Sequence, residues 1–196
     1  MVEVTPPTGS RFSVDELTAQ KLNHGSQGFR ASPRFVVTFG LTATALLGFY
    51  YFPYAQSSAI HKLLTQYLHN YAAVSGAVLR LLEPKIVVSG QDIIGRYSIR
   101  IVKTCDGMDV NILLFAAIMA WPSALRRRLV AAAIGIVVLF SVNTLRICTL
   151  YLIGVYAPAS FEFVHLELWP VLILVVAVLF FLSFIRDVRI RASVRT

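Results

Sequence analysis

Charge is scarce in this chain of 196 residues. Asp, Glu, Lys and Arg make up 14% of it, against about 25% in an ordinary soluble domain. With 57% hydrophobic residues and a mean hydropathy of +0.69, the deficit excludes a disordered chain and a typical cytosolic enzyme. Cysteine is equally sparse. Cys105 and Cys148 stand alone, too few for a secreted disulfide scaffold, although one bridge between them stays open. Metal-ligand spacing is missing: His61 and His69 are eight apart and no His-Glu-x-x-His occurs. There is no Gly-x-Ser-x-Gly elbow and no phosphate loop, so neither a metal nor a cofactor is expected. The first 34 residues carry no short apolar stretch with a small-residue cleavage site, which argues against a cleavable signal peptide. No internal repeat is evident.

What remains is apolar sequence in long runs, the pattern of a small all-α integral membrane protein. A transmembrane helix needs about 20 mostly apolar residues. Four segments meet or approach this: 35–54, 106–123, 129–153 and 166–185. The second reaches span length only if its helix starts near Asp106 and ends near Ser123, which puts Asp109 and Asn111 near the water boundary. The chain then divides into a polar N-terminal segment 1–34, one membrane-embedded domain 35–185 and a basic tail 186–196.

The formal net charge is +8 and the pI about 9.9. In a soluble protein this balance raises the question of nucleic acid. Here the cations flank apolar runs, where they set orientation instead, so the bilayer and not a nucleic acid is the expected partner. Arg11, Lys21, Arg30 and Arg34 precede the first span, Arg126, Arg127 and Arg128 fill the turn after the second, and Arg186, Arg189, Arg191 and Arg195 follow the fourth. The loop from Gly154 to His165 has no Lys or Arg. The positive-inside rule then predicts both termini in the cytoplasm of a multi-pass cell-membrane protein, with the loops 55–105 and 154–165 outside. From Ile60 to Leu82 the long outer loop has apolar residues at helical spacing, including Leu64, Leu68, Tyr71 and Leu79. This reads as an amphipathic helix lying on the outer leaflet or packed over the spans. After Pro84, Ile86-Val87-Val88 and the alternation Ser98 to Lys103 predict a small β-hairpin turning at Gly90 to Gly95.

Three residues with chemical potential fall near the outer boundary. Cys105, in Thr104-Cys-Asp-Gly-Met-Asp, opens the second span, where helix N–H groups stabilise a thiolate; Gly107 permits close backbone approach. Arg146 lies inside the third span, about 10 Å from its outer end. Either it serves a site, the default for an intramembrane charge, or it snorkels or pairs structurally. Asn143, one turn earlier, is placed to hold the guanidinium inward. His165 opens the fourth span, flanked by Glu162 and Glu167, which either orient its ring or are solvated. Each residue alone has an ordinary structural reading. Together a Cys, a His and a cation are the equipment of acyl transfer. Cys148, two residues beyond Arg146, faces away and reads as packing.

The run Cys105-Asp-Gly, Phe115 to Pro122, Arg126-Arg-Arg-Leu129, Asn143-Thr-Leu-Arg146-Ile and Phe161-Glu-Phe-Val-His165 resembles the exosortase/archaeosortase family over about residues 100–185. The short length and the Phe-Glu-Phe-Val-His segment look most like the small exosortase H branch. The resemblance implies a membrane cysteine transpeptidase with Cys105, Arg146 and His165 as catalytic residues and Asn143, Gly107 and Asp106 in support. It implies substrates anchored by a C-terminal sorting tail (a short motif, a transmembrane helix and a basic cluster), which are cleaved and passed to a surface acceptor. Asp106 departs from the small or neutral residue usual after the Cys, and its carboxylate opposes thiolate formation unless Lys103 or Arg146 offsets it. The chain is also shorter than the usual eight-span member. Two other readings are a non-catalytic adaptor that binds partner helices and a protease that transfers only to water.

Overall fold

The structure, a computed structural model, describes residues 33–103 and 105–193. The expected cytoplasmic segment 1–34 therefore lies outside the described residues except for its last two, as do Thr104 and the tail end 194–196 with Arg195. Nearly everything described belongs to the compact unit Arg34–Thr196.

The described residues form five helices, with short helical turns before the last, and a small sheet. Helix α1 (Pro33–Tyr51) stops just before Pro53, which cannot continue a helix. Helix α2 (Ala59–Arg80) is capped by Ser58, whose hydroxyl accepts the His61 N–H at 3.1 Å. Strands β1 (Val87–Ser89), β2 (Asp92–Ile94) and β3 (Ser98–Arg100) follow, then α3 (Met108–Ala120) and α4 (Leu125–Tyr156). A 3-10 turn (Pro158–Ser160), a helical turn (Phe161–Phe163) and a π-helical turn (Val164–Leu168) lead without a break into α5 (Trp169–Ser193).

Among the described residues, three apolar stretches are long enough to cross a bilayer: Pro33–Tyr51, Leu125–Tyr156 and Pro158–Arg191. The expected second span is not among them. Its helix is 13 residues long, about 20 Å, because Gly107 is left-handed (φ +70°) before it and Trp121, preceding Pro122, is extended after it. The third span is longer than expected. Its 32 residues reach about 48 Å, well beyond a hydrocarbon layer of about 30 Å.

Helix α4 is the common wall of two cores. On one side Leu114 and Ile118 of α3 and Trp169, Ile173 and Ala177 of α5 pack with Leu139 and Leu150. On the other, Leu68, Tyr71 and Leu79 of α2, Ile93 of β2, and Ile86 and Ile101 next to β1 and β3 pack with Ile147 and Tyr151. The amphipathic helix is thus packed over α4, while Leu63, Leu81 and Leu82 stay exposed. Val137 and Leu145 of α4 and Val171 and Leu179 of α5 also face outward, as lipid-facing residues do. Helix α1 is held at both ends: Phe35 packs against Trp121 and Phe181, and Tyr51 donates to Asp109 at 2.7 Å.

The expected hairpin is a three-stranded antiparallel sheet in the order β1-β2-β3. Ser89 pairs with Asp92, so Gly90-Gln91 forms a two-residue turn and Gly90, at φ +61°, supplies the positive dihedral. The stretch taken as the turn therefore contains the middle strand. Tyr151 ties this sheet to α4: its hydroxyl donates to Glu83 at 2.7 Å and accepts the Arg96 N–H at 3.0 Å.

Gly154 lies where α4 passes under the Tyr97 ring, and a Cβ there lands on that ring. Gly154→Val is expected to cost about 1–3 kcal/mol through overpacking, read as a lower thermal midpoint in detergent. An unchanged midpoint would show that the sheet and α4 are not packed as closely as described.

Candidate active site

The segment before α3 is built to place one side chain. Gly107 takes its left-handed conformation one residue before Met108, and a Cβ on it meets Asn143 Cγ at 3.1 Å. The close approach expected at Gly107 is thus to a side chain and not to another backbone. Asn143 Nδ2 donates to the Cys105 carbonyl at 3.3 Å and to the Tyr71 hydroxyl at 3.2 Å. Its amide holds the cysteine segment, not the guanidinium for which its spacing suited it.

Asp106 is fully buried. Its carboxylate accepts from the Tyr50 hydroxyl, and from the Met108 N–H at 2.9 Å. Burial pushes the Asp106 carboxyl up from its ordinary range, and the bonds from Tyr50 and Met108 oppose that shift. The acidic neighbour of Cys105 is thus engaged with α1 and with its own helix start. Lys103 Nζ lies 5.5 Å from the Tyr50 ring centre, on that same side.

His165 Nε2 lies 3.6 Å from Cys105 Sγ, across 60 residues of sequence. The π-helical turn sets this position. Trp169 donates to the Val164 carbonyl, and Pro170, which lacks the N–H for the usual bond, follows at once. The imidazole stacks on Phe161 with ring centres 5.6 Å apart and planes 8° apart. Its Nδ1 is buried with no hydrogen-bond partner among the described residues. Glu162 and Glu167 are exposed, so the solvated reading holds for both and neither orients the ring.

Arg146 is 6% exposed, which excludes snorkelling to the surface. Its Nε has no hydrogen-bond partner among the described residues, and none of the salt bridges there includes it. Its charge acts on Cys105, Tyr71, Asp106 and His165. Along α4 it lies about 27 Å from Arg128, roughly one hydrocarbon thickness. Arg126 and Arg127 share the other end of the bundle with Arg191. Cys105 and Cys148 are free thiols. Cys148 is buried in the sheet-side core, 3.8 Å from the Ser75 carbonyl, as a packing residue should be.

Cys105 and His165 open onto a cleft of about 220 Å³ whose walls include Phe161, Ile147, Leu150 and the strand β3. A thiol beside an imidazole nitrogen is an arrangement for forming a thiolate, and the Arg146 charge, which interacts with both groups, suits the oxyanion of an addition intermediate, although Arg146 is not among the residues that line the cleft. Sequence reasoning missed Tyr71, Tyr50 and Phe161. Tyr71 was visible only as a member of an apolar stripe and Tyr50 only as one residue of the first apolar span; Phe161 appeared only as the first residue of the segment carrying His165.

A carboxyl whose folded pKa lies above its unfolded value stabilises the fold below the unfolded pKa, and that contribution is lost as pH rises through the folded pKa. Asp106→Asn keeps the shape: the amide oxygen takes the Met108 N–H and the amide nitrogen faces Tyr50. The thermal midpoint of the unaltered protein should therefore fall as pH climbs above the ordinary carboxylate range, while that of the variant stays flatter. Parallel curves in a pH series of melts would contradict a buried acid at this position.

A family model described as transmembrane exosortase (Exosortase_EpsH) matches residues 33–182, which include all of Cys105, Asn143, Arg146 and His165. No curated protein and no solved structure matches the chain. With the match covering most of its length and its long apolar helices marking it as a membrane protein, the chain belongs to the transmembrane exosortase family.

Proposed function

We propose that the protein is a cysteine transpeptidase that cleaves C-terminal sorting signals of exported proteins through an acyl-enzyme on Cys105. The family is generally one of cysteine transpeptidases with a sorting role. The observation that carries the finer reading is the 3.6 Å approach of His165 Nε2 to Cys105 Sγ; a buried Arg146 that interacts with both through its charge and has no salt bridge among the described residues supports it.

His165 accepts the Cys105 proton. The thiolate adds to the scissile carbonyl carbon, and Arg146 faces the charge that develops on the oxygen. The C–N bond then breaks, the His165 proton goes to the departing amine, and a thioester remains on Cys105. An acceptor nucleophile gives its proton to His165, attacks the thioester and releases the thiolate. Phe161 fixes the imidazole plane by stacking, where a carboxylate does so in the familiar triads. Arg146 serves both ends of the cycle, since the resting thiolate and the oxyanion are both anions.

Orientation follows from the charge pattern. The ends bearing Arg126, Arg127 and Arg191 face the cytoplasm of the cell membrane by the positive-inside rule. The site then lies at the extracytoplasmic boundary, where the peptide bond just outside a substrate's membrane anchor arrives.

Co-expression with an exported protein carrying such a tail tests the reading. Cys105→Ala should leave the substrate uncleaved, whereas an adaptor would still support its maturation. Arg146→Lys should slow cleavage roughly a hundredfold or more, because a point charge does not replace the planar fork. Trapping the thioester and identifying the product's new C-terminal group separates transfer from hydrolysis. Normal cleavage by either variant would overturn the assigned roles.

A further inference from the structure

The cleft at Cys105 and His165 is lined by five successive residues, Tyr97 to Ile101. Side chains along a strand alternate between two faces, so an unbroken run of lining residues marks a cleft that follows the edge of β3. That edge is open, since β3 has β2 as its single neighbour in the sheet.

The register shows which backbone groups are already engaged. Ile99 pairs with Ile93. Around this pair, the Gly95 N–H bonds to the Tyr97 carbonyl at 3.1 Å and the Ile101 N–H to the Gln91 carbonyl at 3.0 Å. Residues of an antiparallel strand turn their N–H and C=O groups alternately to one side and the other. Tyr97, Ile99 and Ile101 therefore bond toward β2, and Ser98 and Arg100 turn theirs to the open edge. Charged side chains commonly guard such edges, but Arg100 is folded back onto β2, with Nε 2.6 Å and Nη2 2.8 Å from the Asp92 carboxylate.

A peptide bond within a helix is closed to attack by the turns around it, so a substrate must be extended at the cleavage point. Near lipid, extended backbone needs hydrogen-bond partners, because unpaired N–H and C=O groups are costly there. We infer that the free edge of β3 binds the substrate as an added antiparallel or parallel strand. The outward N–H and C=O groups of Ser98 and Arg100 pair with the extended segment and align its scissile carbonyl with Cys105 Sγ. This rests on the reading of Cys105 as the nucleophile. It makes main-chain shape a large part of recognition and gives β3 a positioning role.

The test uses the full chain in detergent and an acetyl-tetraalanyl chloromethyl ketone, from whose methylene carbon the cysteine sulfur displaces chloride. Four matched reagents each carry one N-methyl group on a different alanine. Alkylation of Cys105 is followed by mass spectrometry and divided by the iodoacetamide rate of the same protein. N-methylation at alternate alanines should slow labelling roughly tenfold, with the intervening positions tolerant. Ser98→Pro and Arg100→Pro each replace an outward N–H with a ring carbon that obstructs strand pairing at that edge and leave the ladder to β2 intact; each should weaken the alternation. Equal rates for all reagents, or alternation preserved in folded forms of both variants, would overturn strand addition. The N-methyl series is read on the unaltered protein, so a misfolded proline variant leaves it decisive. Iodoacetamide preference for Cys105 over Cys148 separates the two levels: without it the nucleophile reading fails and strand addition with it, and with it a flat N-methyl series removes strand addition alone.

Discussion

The Asn143 amide donates at once to the Tyr71 hydroxyl and the Cys105 carbonyl, and those two bonds join α2, α4 and the segment that opens α3. The Tyr71 hydroxyl in turn donates to the Phe140 carbonyl at 3.2 Å, fixing the chain of bonds to the same wall of α4. Buried backbone carbonyls require partners, and the Cys105 carbonyl precedes a helix and so has none from secondary structure. The amide fills this need and thereby sets the sulfur's position. Gly107 accompanies it because any side chain there crowds Asn143 Cγ.

Arg146 is the opposite kind of feature. Taking a guanidinium out of water is costly, and excellent geometry with a carboxylate is the ordinary compensation. Arg146 is buried without one among the described residues. It therefore contributes little to stability and leaves a positive potential in a low-dielectric corner. Asp106, the acid its charge reaches, is engaged instead by Tyr50 and Met108 and forms no salt bridge with it.

Spacing and composition made part of this legible. The meeting of Cys105 and His165 was legible from the expected topology, in which loop charges put the ends of their helices on one side, whereas the reach of Arg146 was not. Helix α2 was legible from its 3.6-residue stripe. The sheet was misread because Ile93 and Ile94 are adjacent and show no alternation, and because Gly90 was joined with Gly95 into one turn. The limits of α3 were hidden because apolar composition does not stop at a left-handed glycine or at an extended tryptophan. Asn143 was put on the correct face with the wrong partner, since helical periodicity reports direction and not distance. The bonds of Tyr50 and Tyr71 were invisible because their partners lie 56 and 72 residues away.

The π-helical turn at Val164–Leu168 has a consequence for how the last helix divides its labour. A bond spanning five residues instead of four admits one extra residue, and that residue rotates everything before it by about 100° relative to an unbroken helix. The bearing of the imidazole is thereby uncoupled from the greasy exterior of α5. Anchoring in the bilayer and aim at the sulfur become separately adjustable along one continuous rod, so exchanges among Val171, Leu174 and Leu179 alter lipid fit without swinging the ring.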